Sequence, residues 1–291
     1  MRNKRFGPTE WNVSAIGLGG MPLSIDGRPS QEDAIAVVHA SLDAGVTLID
    51  TADVYCLDDR DIGHNEQLIA KALWSWSGDH DSVLVCTKGG LRRPRGAWVS
   101  DGRERHLKEA CARSLASLGV DAIDVYQLHA PDSDVPFEES VGALARLREA
   151  GMIKHVGLSN VSVAEIEQAQ AIVPIVSVQN RCNVFDRRAW SEGVIAKCEA
   201  EGLAFLPYSP VGGGRGKVEL GRDSVLCAVG ERHGVSPYQV ALAWLLAKSD
   251  VMFPIPGAKR IASAEDSARA ADLTLSAVDL AELDAAFPVL S

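Results

Sequence analysis

The stretch IKHVGLSNVSVAEIEQAQAIVPIVSVQN, residues 153–180, contains the repeating unit from which we derive the fold. Its first part, IKHVGLS, is an apolar, β-branched run that is typical of a strand. Ser162-x-x-Glu165 then matches a capping box, which predicts the start of a helix. A second apolar run, PIVSVQN, follows. This order predicts two parallel strands joined by a helical crossover.

The same order of strand and helix recurs along the whole chain. Because the strand candidates are apolar on consecutive residues, we expect helices to cover both faces of a parallel sheet. Eight such units in 291 residues favour a closed (β/α)8 TIM barrel over an open doubly wound sheet. The candidates are SAIGLG (14–19), VTLID (46–50), SVLVCTK (82–88), AIDVYQLH (122–129), IKHVGLS (153–159), PIVSVQN (174–180), LAFLPYS (203–209) and VMFPIP (251–256).

Capping and turn residues define several element boundaries. Ser30 is expected to cap a helix that ends at Gly45, and Ser236-Pro237-x-Gln239 to begin the long helix before the eighth strand. Ser263-x-x-Asp266 matches a helix cap as well. Ahead of the first strand, RNKRFGPTEWNV (2–13) indicates a short β-hairpin with Gly7-Pro8 in its turn, at the bottom of the barrel. We expect residues 1–291 to form a single domain, since no linker-like stretch divides them.

Composition narrows the class of protein. Hydrophobic residues make up 46% and charged residues 23%, as in ordinary globular domains. A formal charge of -10 makes nucleic acid an unfavourable partner, and no apolar run suggests a signal peptide or a membrane span, so we expect a cytoplasmic protein. The six cysteines form no CxxC pair, so neither a zinc site nor a disulfide framework is indicated, and we expect free thiols and no metal.

Polar residues recur where the predicted strands end, and the carboxyl ends of barrel strands form the active-site face. Tyr55 follows the second of these strands in a predicted loop. We therefore expect these side chains to meet at one rim. The strand-end residues are Asp50, Lys88, His129, Ser159, Asn160, Gln179 and Tyr208.

The combination of Asp50, Tyr55, Lys88 and His129 suits a phenolic general acid. A free Tyr has a pKa of about 10, which must fall by about 3 for efficient proton donation near neutrality. An ammonium about 4 Å away supplies about 4 kcal/mol toward that shift. Asp50 would keep Lys88 charged, and His129 would orient a substrate carbonyl or share the proton.

A protonated carbonyl also needs a nucleophile, and no side chain is an obvious one, so a hydride-carrying cofactor fits. Ser159, Asn160 and Gln179 match the hydrogen-bonding pattern of a nicotinamide carboxamide, and the ring of Tyr208 is suited to stack on it. IPGAKR (255–260) offers a glycine, two cations and a helix start, as phosphate sites do. Neither Gly17-Leu18-Gly19-Gly20 nor GGGRGKV (212–218) completes a Rossmann or P-loop motif.

The sequence resembles the aldo-keto reductase family from about residue 4 to residue 287. The resemblance rests on IDTADVY (49–55), GHNE (63–66), TKGG (87–90), DVYQLHAPD (124–132), IKHVGLSN (153–160), VQNRCNVF (178–185), LPYSP (206–210) and PIPGAKR (254–260). It implies a barrel that binds NADPH and reduces aldehydes or ketones to alcohols. It also implies that Asp50, Tyr55, Lys88 and His129 are the catalytic tetrad, with Tyr55 as the acid.

The same resemblance implies a set of cofactor contacts, with the 2'-phosphate near Lys259 and Arg260. The implied cofactor-binding residues are Gly20, Met21, Asp50, Ser159, Asn160, Gln179, Tyr208, Ser209, Pro210, Val211, Ile255, Pro256, Gly257, Lys259, Arg260, Ser263 and Ser267.

The chain departs from the family pattern in three places. Cys56 stands where relatives usually have Gly, and its thiol is either an inert packed group or a site of modification. Ser263 stands where relatives commonly carry Arg, so NADH is possible beside NADPH. SPVGGGRGK (209–217) predicts a short, glycine-rich loop after the seventh strand and hence faster cofactor exchange.

Substrate choice is expected to depend on the rim loops 21–29, 56–63 and 91–104. Trp98 joins Tyr55 and His129 as a predicted substrate-binding residue. The third loop contains four arginines: Arg92, Arg93, Arg95 and Arg103. Either they attract an anionic substrate or they form an ordinary solvated surface. We expect the binding partner to be a small carbonyl substrate. For the oligomeric state, a monomer and a small homo-oligomer are both compatible with the sequence. The alternatives are a Schiff-base aldolase using Lys88 and a non-catalytic, NADPH-binding redox-sensing subunit.

Overall fold

The computed structural model describes residues 1–288 of the chain. Strands β1 (Asn3–Arg5) and β2 (Asn12–Ser14) pair antiparallel and form the predicted hairpin. Gly7 takes a left-handed φ of 54°, and a Cβ there would lie 2.3 Å from the carbonyl oxygen of Val176. Phe6 is fully buried among residues of the barrel interior. The hairpin therefore packs tightly against the barrel, as predicted.

A parallel sheet of seven strands forms most of the barrel wall, and a small antiparallel pair lies outside it. The strands are β3 (Leu18–Gly19), β4 (Leu48–Asp50), β5 (Leu84–Gly89), β6 (Leu91–Arg92), β7 (Val99–Ser100), β8 (Ile123–Leu128), β9 (Ile153–Ser159), β10 (Ile175–Gln179) and β11 (Ala204–Phe205). The order in the sheet is β11-β10-β9-β8-β5-β4-β3, and the antiparallel pair is β6 with β7.

The segment VMFPIP closes the barrel between β11 and β3, although it forms isolated bridges rather than a regular strand. Phe205 bridges Met252 on one side, and Gly19 bridges Gly257 on the other. The amide of Gly19 donates to the carbonyl of Pro256 at 3.0 Å. Proline has no N–H to return such bonds, so a continuous ladder cannot form at Pro254 and Pro256. The predicted (β/α)8 barrel is confirmed, with its eighth strand irregular.

Helices surround this sheet. They are α1 (Gln31–Asp43), α2 (His64–Ser75), α3 (Glu104–Leu118), α4 (Phe137–Glu149), α5 (Val163–Gln170), α6 (Arg188–Ser191), α7 (Val194–Glu201), α8 (Gly213–Leu220), α9 (Ser224–His233), α10 (Pro237–Lys248), α11 (Ile261–Arg269) and α12 (Ala277–Ala286). Ser30 caps α1, and both halves of the capping box of α5 form between Ser162 and Glu165. Within residues 1–288, no helix has both the length and the apolar character that a membrane crossing requires.

Two capping predictions need correction. Ser236 caps α10, but the side chain of Gln239 donates to Asp266 at 2.6 Å, so only half of that capping box forms. Helix α11 already begins at Ile261, so Ser263 lies inside it and does not cap it. Asp266 also accepts a hydrogen bond from the hydroxyl of Ser236 at 2.7 Å. Asp266, predicted as part of a cap, thus joins α11 to the start of α10.

Apolar side chains fill both the barrel interior and the layer between sheet and helices. Leu48, Val125 and Phe253 belong to the interior cluster, and all five residues of β10 are buried. Because both faces of the sheet are buried, consecutive residues of each strand are apolar, and the strands appear in the sequence as continuous apolar runs. The six cysteines are free thiols, as predicted. The expectation of a single domain over residues 1–291 stays a prediction.

Candidate active site

Lys88 stands at the centre of the candidate site. Parallel pairing places Asp50 at the end of β4 beside β5, which carries Lys88. The ammonium of Lys88 donates to Asp50 Oδ2 at 2.7 Å, to the carbonyl oxygen of Thr51 at 2.9 Å and to the hydroxyl of Tyr55 at 2.9 Å. These three acceptors match the three N–H groups of an ammonium. The structure thus brings together Asp50, Tyr55 and Lys88.

Two glutamines hold the other oxygen of the Asp50 carboxylate. Gln179 Nε2 donates to Asp50 Oδ1 at 2.7 Å, and Gln127 Nε2 lies 3.5 Å from the same oxygen. A role for Gln127 was not indicated by the sequence motifs. The available signal was a polar residue two positions before His129, which places both side chains on the same face of the predicted strand. Gln179 therefore orients Asp50, a role that its predicted cofactor contact did not include.

Burial changes the pKa values of these groups in different directions. Burial acts to lower the pKa of Lys88, but attraction to Asp50 and Tyr55 outweighs it, and the net pKa is raised. Burial raises the pKa of Tyr55 to about 12, and the opposing effect of Lys88 is smaller. The expectation that Lys88 lowers the pKa of Tyr55 toward neutrality is wrong for the protein without cofactor. Desolvation of the buried phenolate raises this pKa by more than the attraction of the Lys88 ammonium lowers it.

His129 and Trp98 complete an aromatic rim around Tyr55. The ring centroids of Tyr55 and His129 are 5.7 Å apart, and Trp98 lies 6.3 Å from Tyr55 and 6.4 Å from His129. Burial, together with the charge of Lys88, lowers the pKa of His129 well below its ordinary value. Its Nδ1 has no hydrogen-bond partner among residues 1–288. The imidazole is therefore neutral at physiological pH and retains hydrogen-bonding capacity.

Behind the rim lies a group of buried polar residues, two of which belong to the GHNE motif (63–66). Asn65 accepts from the hydroxyl of Thr51 at 2.6 Å and donates to the carbonyl oxygen of Gly20 at 2.9 Å. Glu66 accepts from the hydroxyl of Thr87 at 2.6 Å, and burial raises its pKa to about 7. These contacts fix the strand ends that carry Asp50 and Lys88. The signal in the sequence was GHNE (63–66), one of the motifs on which the family resemblance rests.

The predicted carboxamide residues lie side by side. Ser159 of β9 and Gln179 of β10 are register partners. Asn160 donates to the carbonyl oxygen of His129 at 2.9 Å and accepts from the hydroxyl of Tyr208 at 2.8 Å. The structure thus brings Ser159, Asn160, Gln179 and Tyr208 together as predicted. Ser209, Pro210 and Val211 follow them directly, in the turn before α8.

Glycines and prolines shape the rim between the first and eighth strands. The amide of Gly20 donates to the carbonyl oxygen of Asp50 at 2.8 Å, and Met21 begins the short turn that follows. A Cβ at Gly257 would lie 2.5 Å from Pro22 Cγ. Gly257 is therefore required by packing between the eighth and first strands, and not only, as predicted, for the close approach of a phosphate. Ile255 and Pro256 are buried beside it.

The predicted phosphate end contains an uncapped helix. Helix α11 has no side-chain cap at its N-terminus, where Arg260 is exposed. Lys259 instead donates to the carbonyl oxygens of Gly27 at 2.8 Å and Asp26 at 3.2 Å. Ser263 and Ser267 are four residues apart on α11 and so share one face. Both cations are exposed, but Lys259 is engaged by the rim loop, whereas the Arg260 side chain has no hydrogen-bond or ion-pair partner among residues 1–288.

The glycine-rich segment after the seventh strand is not a plain loop, which corrects the expectation from sequence. Residues 213–220 form α8, with left-handed glycines at Gly212 and Gly213 and a kink at Gly214. The hydroxyl of Tyr238 donates to the carbonyl oxygen of Lys217 at 3.2 Å, and Leu220 is buried. Tertiary packing thus overrides the low helix propensity of glycine. The faster cofactor exchange inferred from the loop stays a prediction.

The arginines of the third rim loop are mostly engaged within the protein. Arg103 pairs with Asp101 at 2.5 Å, and Arg92 lies 3.7 Å from the same carboxylate. Arg93 is buried against backbone carbonyls, and Arg95 is exposed. The loop itself contains the β6–β7 pair, which the sequence did not predict. This arrangement disfavours recruitment of an anionic substrate by the four arginines together.

Cys56, which follows Tyr55, is buried, and its sulfur lies 3.2 Å from the carbonyl oxygen of Asp58 and 3.3 Å from that of Val54. Burial raises the pKa of its thiol to about 11. A protonated, enclosed thiol is a poor nucleophile. Of the two alternatives raised by the sequence, the structure favours an inert packed cysteine.

Comparison with known proteins agrees with this geometry. The model of the "Aldo/keto reductase family" matches residues 15–287. An uncharacterized oxidoreductase of Schizosaccharomyces pombe is 35% identical over 94% of this chain and 86% of its own length. A probable aldo-keto reductase 1 of Glycine max is 32% identical over 98% of this chain and 88% of its own length. The crystal structure of an aldo/keto reductase from Klebsiella pneumoniae, in complex with NADP and acetate, superposes with a TM-score of 0.82 at 26% identity, covering 98% of this chain and 95% of that one.

The chain therefore belongs to the aldo-keto reductase family, and it is an oxidoreductase with the barrel of that family.

Proposed function

We propose that this protein reduces aldehydes or ketones to alcohols with NADPH, using Tyr55 as the general acid. The observation that carries this proposal is the ammonium of Lys88, which donates at once to Asp50 and to the Tyr55 hydroxyl. Such a contact aims the phenol and stabilises the negative charge that develops on its oxygen as the proton leaves. Since the pKa of Tyr55 is about 12, the phenol carries its proton at neutral pH, and the contact with Lys88 offsets part of the cost of releasing it.

The residues around Tyr55 have supporting roles in the proposal. Asp50, held by Gln179, keeps Lys88 charged. The neutral ring of His129 orients the carbonyl by hydrogen bonding, because a substrate oxygen beside the Tyr55 hydroxyl would lie near that ring. Trp98 forms one wall of the carbonyl pocket.

The rim fits a nicotinamide dinucleotide. Ser159, Asn160 and Gln179 offer amide and hydroxyl groups at adjacent strand ends, with the Tyr208 ring beside them. At the other end, the uncapped N-terminus of α11 and the exposed Arg260 suit a phosphate. The similar Klebsiella pneumoniae protein was solved with NADP, which supports this cofactor. When bound, the reduced nicotinamide supplies the hydride for the carbonyl carbon.

Two alternatives from the sequence are less well supported. A Schiff-base aldolase needs a neutral Lys88 amine, but its pKa is raised and its three donors are engaged. A redox-sensing subunit without catalysis does not require the Lys88–Tyr55 contact. Borohydride trapping with a carbonyl compound should leave Lys88 unlabelled, and labelling of Lys88 would support the aldolase.

Oxidation of NADPH with a panel of aldehydes and ketones tests the proposed reaction directly. We expect the purified chain to consume NADPH only when a carbonyl compound is present and to form the matching alcohol. NADPH binding without turnover of any panel member would instead favour the sensing subunit.

The pH dependence should report the high pKa of Tyr55. Reduction needs the protonated phenol, so kcat should stay flat between about pH 6 and about pH 9, well below that pKa. Alcohol oxidation needs the phenolate, whose fraction rises about tenfold per pH unit below the pKa, so kcat for oxidation should rise with that slope. A decline of reduction with a midpoint near neutrality would contradict the high pKa.

Arg260 should carry the preference for NADPH. Arg260→Ala removes the exposed cation beside α11, so the Kd for NADPH should rise about tenfold or more while the Kd for NADH, which has no 2'-phosphate, stays within about twofold. Fluorescence titration of both cofactors measures this. Lys259→Ala is the matched control. Because the Lys259 ammonium already donates to the carbonyl oxygen of Gly27, this change should raise the Kd for NADPH less than Arg260→Ala does. Equal weakening of both cofactors by Arg260→Ala would exclude the assignment.

A further inference from the structure

Arg93 is an unusual buried cation beside the candidate site. Its side chain is only 6% exposed. Among residues 1–288 it has no carboxylate within ion-pair distance, and instead Nη1 donates to the carbonyl oxygen of Gly96 at 2.5 Å. Burying a guanidinium away from carboxylates costs free energy that other contacts must offset. The remaining contacts of Arg93 indicate what it contributes.

The other terminal nitrogen reaches the loop that carries the catalytic tyrosine. Nη2 donates to the carbonyl oxygens of Cys56 at 3.0 Å and Leu57 at 3.2 Å, the two residues after Tyr55. Arg93 itself lies in the third rim loop, 36 or more positions along the chain from these acceptors. A single side chain thus ties two separate rim loops together.

The same guanidinium lies over the ring of Trp98. The Cζ atom of Arg93 lies 3.8 Å from the centroid of the Trp98 ring, a close cation–π contact. Trp98 is 46% exposed, so this contact restrains a side chain that solvent would otherwise leave free. The ring of Trp98 in turn lies edge-on to Tyr55, at 6.3 Å and 74°.

We infer that Arg93 is a positioning residue that sets the width of the carbonyl pocket between Tyr55 and Trp98. It holds Trp98 by a cation–π contact and the loop after Tyr55 by hydrogen bonds to backbone carbonyls. This inference rests on the proposed carbonyl reduction. Because Tyr55 is held independently by Lys88, Arg93 affects the binding of bulky substrates more than the chemical step.

Steady-state kinetics with two aldehydes, benzaldehyde and propanal, test the inference. Arg93→Met should raise the KM for benzaldehyde about tenfold, because an aromatic substrate depends on a fixed Trp98 wall. We expect kcat to change less than about threefold, and the KM for propanal and the Kd for NADPH less than about twofold. Arg93→Lys should not restore the KM, since an ammonium lacks the planar face and the forked donors of a guanidinium.

Arg95→Asn is the matched control within the same loop. Arg95 is exposed and has a left-handed φ of 50°, a conformation that Asn tolerates. This change removes a positive charge from the rim and should leave both KM values unchanged. Tryptophan fluorescence provides a second readout. For each protein, the emission spectrum of the same protein carrying Trp98→Phe is subtracted, which leaves the contribution of Trp98 alone. We expect that difference spectrum to shift in Arg93→Met and not in Arg95→Asn.

The outcomes separate this inference from the proposed function. If the wild-type protein reduces neither aldehyde nor any panel carbonyl, the proposed function fails. If the wild type is active but Arg93→Met keeps its KM for benzaldehyde, or raises both KM values equally, the positioning role of Arg93 is overturned. Should Arg93→Met not fold, Arg93→Lys carries the test: it keeps the charge but loses the forked donors, and it must show the same selective rise for benzaldehyde.

Discussion

Tyr55→Phe should lower kcat for carbonyl reduction at least a hundredfold, on the order of a typical general-acid contribution. The change removes the one hydroxyl that Lys88 contacts at 2.9 Å and leaves the ring in place. Lys88 keeps its bonds to Asp50 and to the Thr51 carbonyl, so the fold and the Kd for NADPH should change little. Stopped-flow measurement of NADPH oxidation, with cofactor binding followed by fluorescence, separates the two effects.

Tyr208→Phe provides a matched control on the same rim. It also deletes a phenolic hydroxyl, one that donates to Asn160 Oδ1 at 2.8 Å and not to Lys88. We expect kcat to fall less than about threefold in this variant, in the range of one lost neutral hydrogen bond. Equal rates in Tyr55→Phe and the wild type would overturn the assignment of Tyr55 as the acid.

Asp50→Ala should have the largest effect on stability. It leaves the fully buried ammonium of Lys88 without its carboxylate, and breaking a buried ion pair in this way costs about 3–5 kcal/mol of the free energy of unfolding. Chemical denaturation measures this loss. The double variant Asp50→Leu with Lys88→Met should lose less than Asp50→Ala, because it buries no unpaired charge.

The pH dependence of stability should also change sign in Asp50→Ala. In the wild type the pKa of Lys88 is raised, so its stabilising contribution is complete below the unfolded-state pKa of about 10.4 and is lost as pH rises through the higher folded-state value. Without Asp50, burial lowers the folded-state pKa, and the unfolded chain then binds more protons. The variant should therefore gain stability as pH rises toward about 10.4. Parallel pH profiles would show that Asp50 does not keep Lys88 charged.

The barrel and most of the candidate site could be predicted from sequence because the relevant signals are local. Apolar runs, the Ser162–Glu165 capping box and the Gly7-Pro8 turn each depend on residues close in the chain. Once the fold is known, the rule that strand ends meet at one face brings Asp50, Lys88 and His129 together. The contact of Lys88 with Asp50 follows from that rule, whereas the contact with Tyr55, in the loop after the strand, was expected from its chemistry; the structure contains both.

Only the tertiary structure decided the features that depend on burial and on distant partners. The high pKa of Tyr55 is set by desolvation, which no spacing of residues reports. Asp266 joins Ser236 and Gln239 of a different helix, and Gly212 to Gly214 lead into α8 because packing outweighs glycine's weak helix propensity. Arg93 turns inward onto backbone carbonyls rather than toward an anion. Sequence patterns specify which elements form, whereas the balance of solvation, charge and contact at a buried atom exists only after those elements have packed.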